Sequence, residues 1–334
     1  MAKVITLGEI MMRLSTPGNK RFLQSESFDI SFGGAEANVA AGLATFGHEA
    51  EFVTKLPENP LGDSVLATLR KMNVKTDNIT RGGNRLGVYY LETGSSVRPS
   101  NVIYDRADSA FSKAVADEFD FDKIFRGADL FHISGITPAV SESCADIALK
   151  ALDFAKRNNV KISFDINYRS KLWTTEEAKA VLVKLAPYAD IFFGNTWDAK
   201  NLLGLDIDEK ADFETAARLL SDTFDFEYVV ASHRICRSAS ENDFSASAYS
   251  KHANSVYSTR TYNITPIVDR VGTGDSFATG FLCGILDGKD FKDALDFAAA
   301  SAVLCHTIHG DFNCITKKEA EALAMGDSAG NVRR

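Results

Sequence analysis

The chain contains 334 residues, of which 45% are hydrophobic, so it can bury a large core in one large α/β domain or in two smaller ones. Its net charge is −8. We therefore expect neither nucleic acid nor an anionic membrane surface as a partner, because both are bound by clustered basic residues. An apolar run of ~18 residues, which a membrane-spanning helix would need, is absent from the sequence.

The cysteines indicate a reducing compartment. Their number is odd and no two of them form a Cys-x-x-Cys pair, so the pattern favours free thiols over a disulfide framework or a zinc site. The N-terminal residues lead directly into a strand pattern without a signal peptide. We therefore expect a cytoplasmic protein with free thiols at Cys144, Cys236, Cys283, Cys305 and Cys314.

The N-terminal residues predict a strand, a glycine-rich turn and two helices. Val4–Ile10 is a short apolar run typical of a buried strand. Phe32–Asn38 is the glycine-rich turn, and Val39–Phe46 is a run of small residues with helical character that Gly47 terminates. A strand over 51–55 and a helix over 61–73 follow.

Two alternating segments predict a small sheet outside the main core. Leu86–Glu92 and Asn101–Asp105 alternate apolar and polar residues and flank a turn-rich segment over 94–100. The pair is polar on one face, so it does not fit a fully buried sheet. We expect it to form a separate small sheet together with part of 11–32.

The middle of the chain alternates short strands with helices. This alternation predicts a parallel sheet covered by helices on both faces, with ligands bound at the C-terminal ends of the strands, after Ile10, Ser134, Asp165, Gly194 and Ser232. The predicted strands are Leu130–Ser134, Val160–Asp165, Ile191–Gly194 and Tyr228–Ser232, and the predicted helices are Ser141–Asn158, Glu176–Tyr188, 195–203 and Phe213–Phe224.

The C-terminal part returns to strands and then to helices. Phe244–Tyr249 and Val256–Tyr262 alternate and predict strands. Phe291–Thr307 is rich in alanine and predicts a buried helix. The last residues, 326–334, predict a frayed tail.

The stretch Asp269–Phe281 is the most informative in the chain. Gly272 and Gly274 flank Thr273, Asp275 follows at once, and a small, apolar run with helical spacing comes next. The pattern predicts a turn that opens into a buried helix, with Asp275 in its first turn. Unpaired N–H groups and the helix dipole make such a turn an anion site, and phosphate is the usual anion. The carboxylate beside it could accept a proton from an attacking hydroxyl.

The same stretch also fits a simpler structure, a plain loop in which Asp275 caps the helix. It is not a Walker loop, because no Gly-Lys-Ser/Thr follows Gly274. It is not the dinucleotide-binding fingerprint either, because the third glycine comes only at Gly280. The residues of this stretch alone leave the anion site and the plain loop open.

Two signatures together indicate a family. The turn Gly33–Asn38 resembles the first signature of the PfkB (ribokinase-like) carbohydrate kinases, and Asp269–Asp275, about 240 residues later, resembles their second. The resemblance covers nearly the whole chain. It implies an α/β fold, a ribokinase-like three-layer α/β/α domain over residues 1–325, with a small β-sheet lid from about 11–32 and 86–110.

Further positions resemble one group within that family. The stretch Asp165–Trp173, with Tyr89, Tyr104 and Arg106, is similar to the corresponding positions of 2-keto-3-deoxygluconate kinases. The resemblance implies ATP and Mg²⁺ as cofactors and a small-molecule sugar acid as the substrate. The implied reaction is ATP-dependent phosphorylation of 2-keto-3-deoxygluconate to its 6-phosphate.

The resemblance also implies roles for individual residues. Asp275 is the implied general base, and Gly272, Thr273 and Gly274 are the implied donors to the phosphoryl oxygens. The implied sugar-acid ligands are Gly33, Gly34, Asn38, Tyr89, Tyr104, Arg106 and Arg169; those for ATP are Asn167, Asn195, Ser232, Gly272 and Gly274; and those for Mg²⁺, through water, are Asn195 and Asp198.

The two arginines are the candidates for holding a sugar carboxylate, because a guanidinium can grip a carboxylate with two parallel hydrogen bonds. Arg106 could instead pair with Asp105 or Asp108 as a surface charge. Arg169 could instead form a structural salt bridge, or lie nearer to the ATP phosphates.

The chain departs from the family pattern at several positions. Arg270 and Thr273 stand where threonine and alanine are usual, and Asp198 stands where many relatives have glutamate. Asp198 could equally be an ordinary first-turn helix residue. Many relatives have a Lys-x-Gly-x-x-Gly stretch after the fourth central strand, whereas 232–240 contains no glycine here.

Two other functions stay open. One is a fructokinase or ribokinase that acts on a neutral sugar, and the other is a non-catalytic regulator that binds a sugar or a nucleotide. A homo-oligomer formed through the lid sheet is a further expectation. His306, His309 and Asp311 follow the last predicted helix without an assigned role.

Overall fold

The alternation of strands and helices builds one large sheet, one small four-stranded sheet and a two-stranded pair, Lys55–Leu56 with Thr80–Arg81, within residues 1–327, which are the residues that the computed structural model describes. The strands, in chain order β1 to β15, are Lys3–Leu7, Met11–Ser15, Asp29–Gly33, Glu49–Val53, Lys55–Leu56, Thr80–Arg81, Val88–Glu92, Asn101–Asp105, Leu130–Ser134, Lys161–Asp165, Ile191–Phe193, Tyr228–Ser238, Glu241–Ser250, Ser255–Ser258 and Tyr262–Ile264. The helices, in chain order α1 to α11, are Ala35–Thr45, Pro60–Lys71, Phe121–Ile124, Ile136–Val140, Glu142–Arg157, Thr175–Leu185, Thr196–Asn201, Phe213–Phe224, Thr273–Leu286, Phe291–Cys305 and Lys317–Ala324.

The large sheet has a parallel part and an antiparallel part. Strands β4, β1, β9, β10, β11 and β12 are neighbours in that order and run parallel. Strand β13 adds to β12 in the antiparallel direction and carries β14 and β15. The carboxyl ends of the parallel strands meet at one edge, where open α/β sheets bind their ligands.

Helices cover both faces of this sheet, as the sequence predicts. In β11, Ile191 and Phe193 join the apolar cluster beneath α1, α9 and α10, while Phe192 joins the cluster beneath α5, α6 and α8. All three side chains are buried. Because successive side chains of a strand point to opposite faces, a strand covered on both faces is apolar throughout. The predicted three-layer architecture is confirmed.

Small residues bring α9 and α10 into close contact. A Cβ atom at Gly280 would lie 2.6 Å from the Cα atom of Ala298, and one at Gly284 would lie 2.6 Å from the Cβ atom of Ala294. A larger residue at either position would push the two helices apart. This packing holds the N-terminus of α9 at the edge where the parallel strands end.

The small sheet contains β3, β2, β7 and β8 in that order, so the predicted lid sheet is confirmed. Met11, Tyr89 and Leu91 are buried on its inner face. On its outer face, Ile30 is 64% exposed and Ile103 is 49% exposed. The expectation of a homo-oligomer rests on this exposed apolar face, and it stays a prediction.

Several predicted strand boundaries differ from the structure: the predicted strand Val256–Tyr262 is divided into β14 and β15, and two other strands end at clearly different residues. The first strand ends at Leu7 rather than Ile10, because the chain leaves the large sheet there to begin β2 of the lid. The fourth central strand does not end at Ser232 but continues to Ser238, because it pairs with β13 as a long antiparallel hairpin. The stretch after Ser232 is therefore strand rather than loop.

The C-terminal helices also differ in extent from the prediction. Helix α9 begins at Thr273, so the glycine-rich turn supplies its first residues. Helix α10 ends at Cys305, two residues before the predicted end at Thr307, and α11 was not predicted. Of the predicted frayed tail, residues 328–334 lie outside the described part of the chain. Within 1–327, the helices are all too short or too polar to cross a bilayer.

Candidate active site

A cavity of about 770 Å³ lies between the lid sheet and the carboxyl ends of the parallel strands. Its size is that of a typical small-molecule site. The residues that follow β10, β11 and β12 line one side, the lid lines another, and the N-terminus of α9 lines a third. Every residue predicted for the site lines it: Gly33, Gly34, Asn38, Tyr89, Tyr104, Arg106, Asn167, Arg169, Asn195, Asp198, Ser232, Gly272, Thr273, Gly274 and Asp275.

The turn before α9 has the geometry of an anion site. Gly272 has φ of 80°, a left-handed conformation that favours glycine, and a Cβ atom there would lie 2.1 Å from the carbonyl oxygen of Asp311. Asp269 Oδ1 accepts the N–H groups of the next two residues at 2.8 and 3.1 Å, which fixes the turn. The first N–H groups of α9 therefore face the cavity without helical partners, where the helix dipole favours an anion.

Asp275 lies in the first turn of α9, where the sequence predicts it. Its Oδ2 accepts a hydrogen bond from Asn38 Nδ2 at 2.6 Å. Burial raises the pKa of Asp275 to about 6, although the hydrogen bond from Asn38 and the positive charge of Arg169 act in the opposite direction. A carboxylate with a pKa near the working pH is suited to general-base catalysis.

The two glycine-rich signatures meet at this point. Gly34 caps α1, and its N–H group donates to Asn38 Oδ1 at 3.3 Å. A Cβ atom at Gly34 would lie 2.0 Å from the carbonyl oxygen of Glu9, and one at Gly33 would lie 2.1 Å from Asp311 Oδ2. The backbone therefore forms the wall of the cavity here, and a ligand can approach its polar groups closely.

The lid contributes two tyrosines. Tyr89 is buried, and its hydroxyl donates to Asp311 Oδ2. Burial is also the main reason that the pKa of Tyr89 is raised well above its ordinary value. The ring of Tyr104 lies 6.0 Å from that of Tyr89 and is partly exposed to the cavity. The two rings give one wall of the cavity an apolar surface with a polar edge.

Arg106 forms a buried ion pair, but not with either carboxylate proposed as its alternative partner. Its Nε donates to Glu9 Oε2 at 2.7 Å. Asp105 instead pairs with Arg85 at 2.9 Å, and Asp108 pairs with Lys113 at 2.7 Å. Arg106 thus lines the cavity with its charge already balanced.

Arg169 differs from Arg106. It lies on the loop after β10 and is exposed to the cavity, and its guanidinium forms no hydrogen bond or salt bridge with any residue in the described range 1–327. Its positive charge nevertheless offsets part of the rise that burial causes in the pKa of Asp165 and of Asp275. The structural salt bridge considered for Arg169 is therefore not present, and its guanidinium is free to bind an anion.

Two further carboxylates face the cavity. Burial and the neighbouring Asp275 raise the pKa of Asp165 to about 8, and burial raises the pKa of Asp198 to about 6. Asp198 Oδ2 accepts the N–H group of Asn195 at 2.8 Å, and Asn195 Oδ1 accepts two N–H groups of α7 in return. Asp198 is thus a first-turn helix residue, as the alternative interpretation held, and it also lines the cavity.

The sequence did not reveal the arginine beneath the site. Arg13 on β2 is buried and donates to Asp311 Oδ1 at 2.9 Å and to Asp269 Oδ2. Its partners are 298 and 256 residues away along the chain, so local patterns carry no sign of this pairing. The one available signal was an arginine within an otherwise apolar strand pattern.

The two histidines after α10 do not line the cavity. His306 is fully buried, its Nδ1 lies 2.7 Å from the carbonyl oxygen of Ala302, and burial lowers its pKa to about 4. It is therefore a neutral structural residue. His309 is exposed at the surface. Asp311, in contrast, lies at the base of the cavity in contact with Arg13 and Tyr89.

Known proteins share this architecture. Residues 1–318 match the profile of the pfkB family carbohydrate kinases. The 2-dehydro-3-deoxygalactonokinase of Haloferax volcanii is 37% identical over 329 residues, which are 98% of each protein. The crystal structure of 2-dehydro-3-deoxygluconokinase from Thermotoga maritima is 46% identical, with a TM-score of 0.94, and the match covers 97% of this chain and 98% of that one. A PfkB family carbohydrate kinase from Listeria grayi is 36% identical, with a TM-score of 0.93 over 97% of this chain and 99% of that one.

The matches agree with the two signatures that the sequence and the structure bring together. The family profile spans 318 of the 334 residues and includes both glycine-rich turns. The three-layer fold and the small lid sheet are therefore shared with structures of this family. The chain belongs to the pfkB family of carbohydrate kinases.

Proposed function

We propose that this kinase transfers the γ-phosphoryl group of ATP to the 6-hydroxyl of a 2-keto-3-deoxy sugar acid, with 2-keto-3-deoxygluconate as the substrate. The position of Asp275 carries the proposal. This buried carboxylate stands at the start of α9, in direct continuation of the turn Asp269–Gly274, called the anion turn below. The guanidinium of Arg169 lines the same cavity without a partner among residues 1–327. A sugar acid can thus reach a proton acceptor, a phosphate site and a free cation at once.

Asp275 acts as the general base in this proposal. It takes the proton of the 6-hydroxyl as the hydroxyl oxygen attacks the γ-phosphorus. The new O–P bond forms while the bond between that phosphorus and the β,γ-bridging oxygen breaks, and ADP leaves with the electron pair. The raised pKa of Asp275, about 6, keeps the carboxylate ionised at neutral pH yet basic enough to accept the proton.

The anion turn stabilises the charge on the transferred group. The amides of Gly272, Thr273 and Gly274 are the donors, and the dipole of α9 adds to their effect. Such preorganised donors are worth about 3–4 kcal/mol each in comparable sites. Asn167, Asn195 and Ser232 line the same cavity beyond the turn, where the rest of the nucleotide would lie.

The sugar acid occupies the lid side of the cavity in this proposal. The backbone at Gly33 and Gly34 and the side chain of Asn38 meet its hydroxyl groups. Arg169 meets its carboxylate, because that guanidinium has no other partner within 1–327 and can offer two parallel hydrogen bonds. Arg106 contributes less charge, since Glu9 already neutralises it.

The oxygen atoms at the edge of the sheet fit a magnesium ion. When bound, Mg²⁺ neutralises charge on the phosphate groups. Asp198 would hold it, directly or through water, together with Asp165, because both carboxylates line the cavity and the raised pKa of each reflects a negative charge that a cation would offset. Asn195 contributes less than the sequence suggests, because its side-chain oxygen already caps α7.

A second substrate has specific support. The relative from Haloferax volcanii acts on the galacto sugar acid, as its name states, and is 37% identical to this chain. The gluco and galacto acids are epimers at a single carbon, so the same base, turn and cation would serve both. The neutral-sugar kinase has weaker support because Arg169 would have no substrate carboxylate to bind in it, and a non-catalytic regulator would need no general base at Asp275.

A coupled assay of ADP release over four substrates tests the proposal. The panel comprises 2-keto-3-deoxygluconate, 2-keto-3-deoxygalactonate, fructose and ribose, each with ATP and Mg²⁺. We expect kcat/KM for the sugar acids to exceed that for the neutral sugars by at least about 100-fold, which corresponds to about 2.7 kcal/mol for binding the carboxylate. Comparable turnover of fructose or ribose would contradict the proposed substrate, and no turnover at all would favour the regulator.

A further inference from the structure

Two arginines meet beside the anion turn: Arg234 on β12 of the hairpin that β12 and β13 form, and Arg270 in the segment before α9, which contacts that hairpin. Arg234 Nη2, on β12, donates to Thr273 Oγ1 at 3.0 Å. The hairpin holds Arg270 on three sides: Nη1 donates to Asn242 Oδ1 at 2.7 Å and to Cys236 Sγ, Nε donates to the carbonyl oxygen of Ala239 at 3.2 Å, and Nη2 donates to that of Ser238. In the described range 1–327, neither guanidinium lies within 4.0 Å of a carboxylate oxygen. Both arginines line the cavity.

These two charges repel each other. The pKa of Arg234 is lowered from its ordinary value because surrounding protein removes water from the guanidinium and because Arg270 and Arg169 add positive charge nearby. Arg237, three residues further along the same strand, is instead neutralised by Asp243, with its Nε 2.9 Å from Oδ2. The chain carries a net charge of −8, so carboxylates are not scarce. Arg234 is exposed to the cavity and Arg270 is half-buried beside it, so both charges are available to an anionic ligand.

The backbone of the hairpin cannot bind such an anion by itself. Residues 232–236 are extended and pair residue by residue with β13, from Ser232 opposite Ala246 to Cys236 opposite Asn242. Successive N–H groups of an extended strand point in opposite directions, so they cannot converge on one phosphate as those of a glycine-rich loop do. Recognition of an anion on this side of the cavity must therefore come from side chains.

We infer that Arg234 grips the phosphate chain of the nucleoside triphosphate on the hairpin side of the anion turn, and that Arg270, which the hairpin holds in place, adds positive charge beside it. The inference rests on the proposed function, which places the γ-phosphate of ATP at that turn. Thr273 orients Arg234 through one of its five N–H donors, and the others stay available for phosphate oxygens. Arginine at 270, threonine at 273 and the absence of glycine from 232–240 then form one coupled feature rather than three separate departures from the family pattern.

Nucleotide titrations of an Arg234→Gln variant test this inference. ADP, AMP and adenosine are titrated into the full-length protein by calorimetry without sugar. We expect the affinity for ADP to fall about tenfold or more, as for the loss of a charge-assisted hydrogen bond, and the affinity for adenosine to stay unchanged. KM for ATP should rise while KM for the sugar acid stays the same. Arg237→Gln, on the same strand but paired with Asp243 outside the cavity, is the matched control and should change none of these values.

Two outcomes would overturn the inference: an ADP affinity that Arg234→Gln leaves unchanged, or equal losses for ADP and adenosine. Arg234→Lys keeps the charge but not the planar fork, so it should recover part of the ADP affinity, and it serves as the second variant if glutamine lowers Tm. The titrations use no sugar. A kinase that rejects sugar acids but still needs Arg234 for ADP would therefore refute the proposed substrate and leave this inference standing.

Discussion

Replacing Asp275 by asparagine changes the charge of the site with little change of shape. Asparagine cannot accept the proton of the sugar hydroxyl, so we expect kcat to fall by about 10²- to 10⁴-fold. The side-chain oxygen of the new residue can still accept the hydrogen bond that Asn38 donates to Asp275 at 2.6 Å. The fold around the anion turn should therefore persist, and the loss of activity should not be a loss of structure.

The same substitution should stabilise the protein. Burial raises the pKa of Asp275 from 3.8 to about 6, so the folded protein keeps this proton to a higher pH than the unfolded chain does. At about 1.4 kcal/mol per pH unit, this rise corresponds to about 3 kcal/mol of unfolding free energy, which is lost between about pH 4 and pH 6 and stays lost above pH 6. Asparagine does not ionise, so the variant does not lose this part of the unfolding free energy as the pH rises.

Urea unfolding at pH 4 and pH 8, combined with the ADP-release assay, measures both effects. We expect the variant to exceed the parent by up to about 3 kcal/mol at pH 8 and to match it at pH 4. Asp63→Asn is the control, because its side chain is 66% exposed on α2 and outside the cavity, and it should change stability by less than about 0.5 kcal/mol. Turnover within tenfold of the parent would refute the base assignment, and an unfolding free energy that falls equally at both pH values would refute the argument from burial.

Four other changes have expected outcomes. In the unmodified enzyme, kcat/KM should rise with pH and level off above about 6 as Asp275 loses its proton, which a pH–rate profile measures. Arg169→Gln should raise KM for the sugar acid about 10- to 100-fold and leave KM for ATP unchanged; the reverse pattern in steady-state kinetics would place Arg169 at the phosphates. Gly272→Ala should lower the unfolding free energy by at least about 1 kcal/mol, because φ of 80° disfavours alanine and its Cβ would lie 2.1 Å from the carbonyl oxygen of Asp311, and urea unfolding tests this. Arg13→Met should cost about 3–5 kcal/mol in the same experiment, because it leaves buried carboxylates without a counter-charge, and a loss below about 1 kcal/mol would contradict that reasoning.

The parts of the fold that the sequence predicts are those with local causes. The strand over 130–134 and the helix over 213–224 have the predicted bounds, because apolar periodicity and flanking turn residues determine them locally. The anion turn was predicted because Gly272 and Asp275 belong to one short motif. Its partner turn at Gly33–Asn38 was predicted from a second motif, and the two meet in space through the hydrogen bond between Asn38 and Asp275.

The parts that the sequence does not predict have distant causes. The strand beyond Ser232 forms because it pairs with β13, and nothing within 232–240 itself announces a strand. The partner of Arg106 is Glu9, which lies 97 residues away, and not the adjacent Asp105. The sequence offers many aspartates and glutamates as partners for an arginine, and only the tertiary structure determines which of them it contacts. This is why residue types at the site were easier to predict than their pairings.

The distant pairing of Arg13 links the lid side of the cavity to the anion turn. Arg13 lies on β2 of the lid, and its guanidinium binds both Asp269 and Asp311. Asp269 fixes the amides of the anion turn, and Asp311 accepts the hydroxyl of Tyr89, while its main chain packs against Gly272. The buried guanidinium of Arg13 thus fixes the position of the lid relative to the anion turn. Because an in-line transfer tolerates little error between the attacking oxygen and the phosphorus, a rigid connection between the two subsites serves the reaction directly.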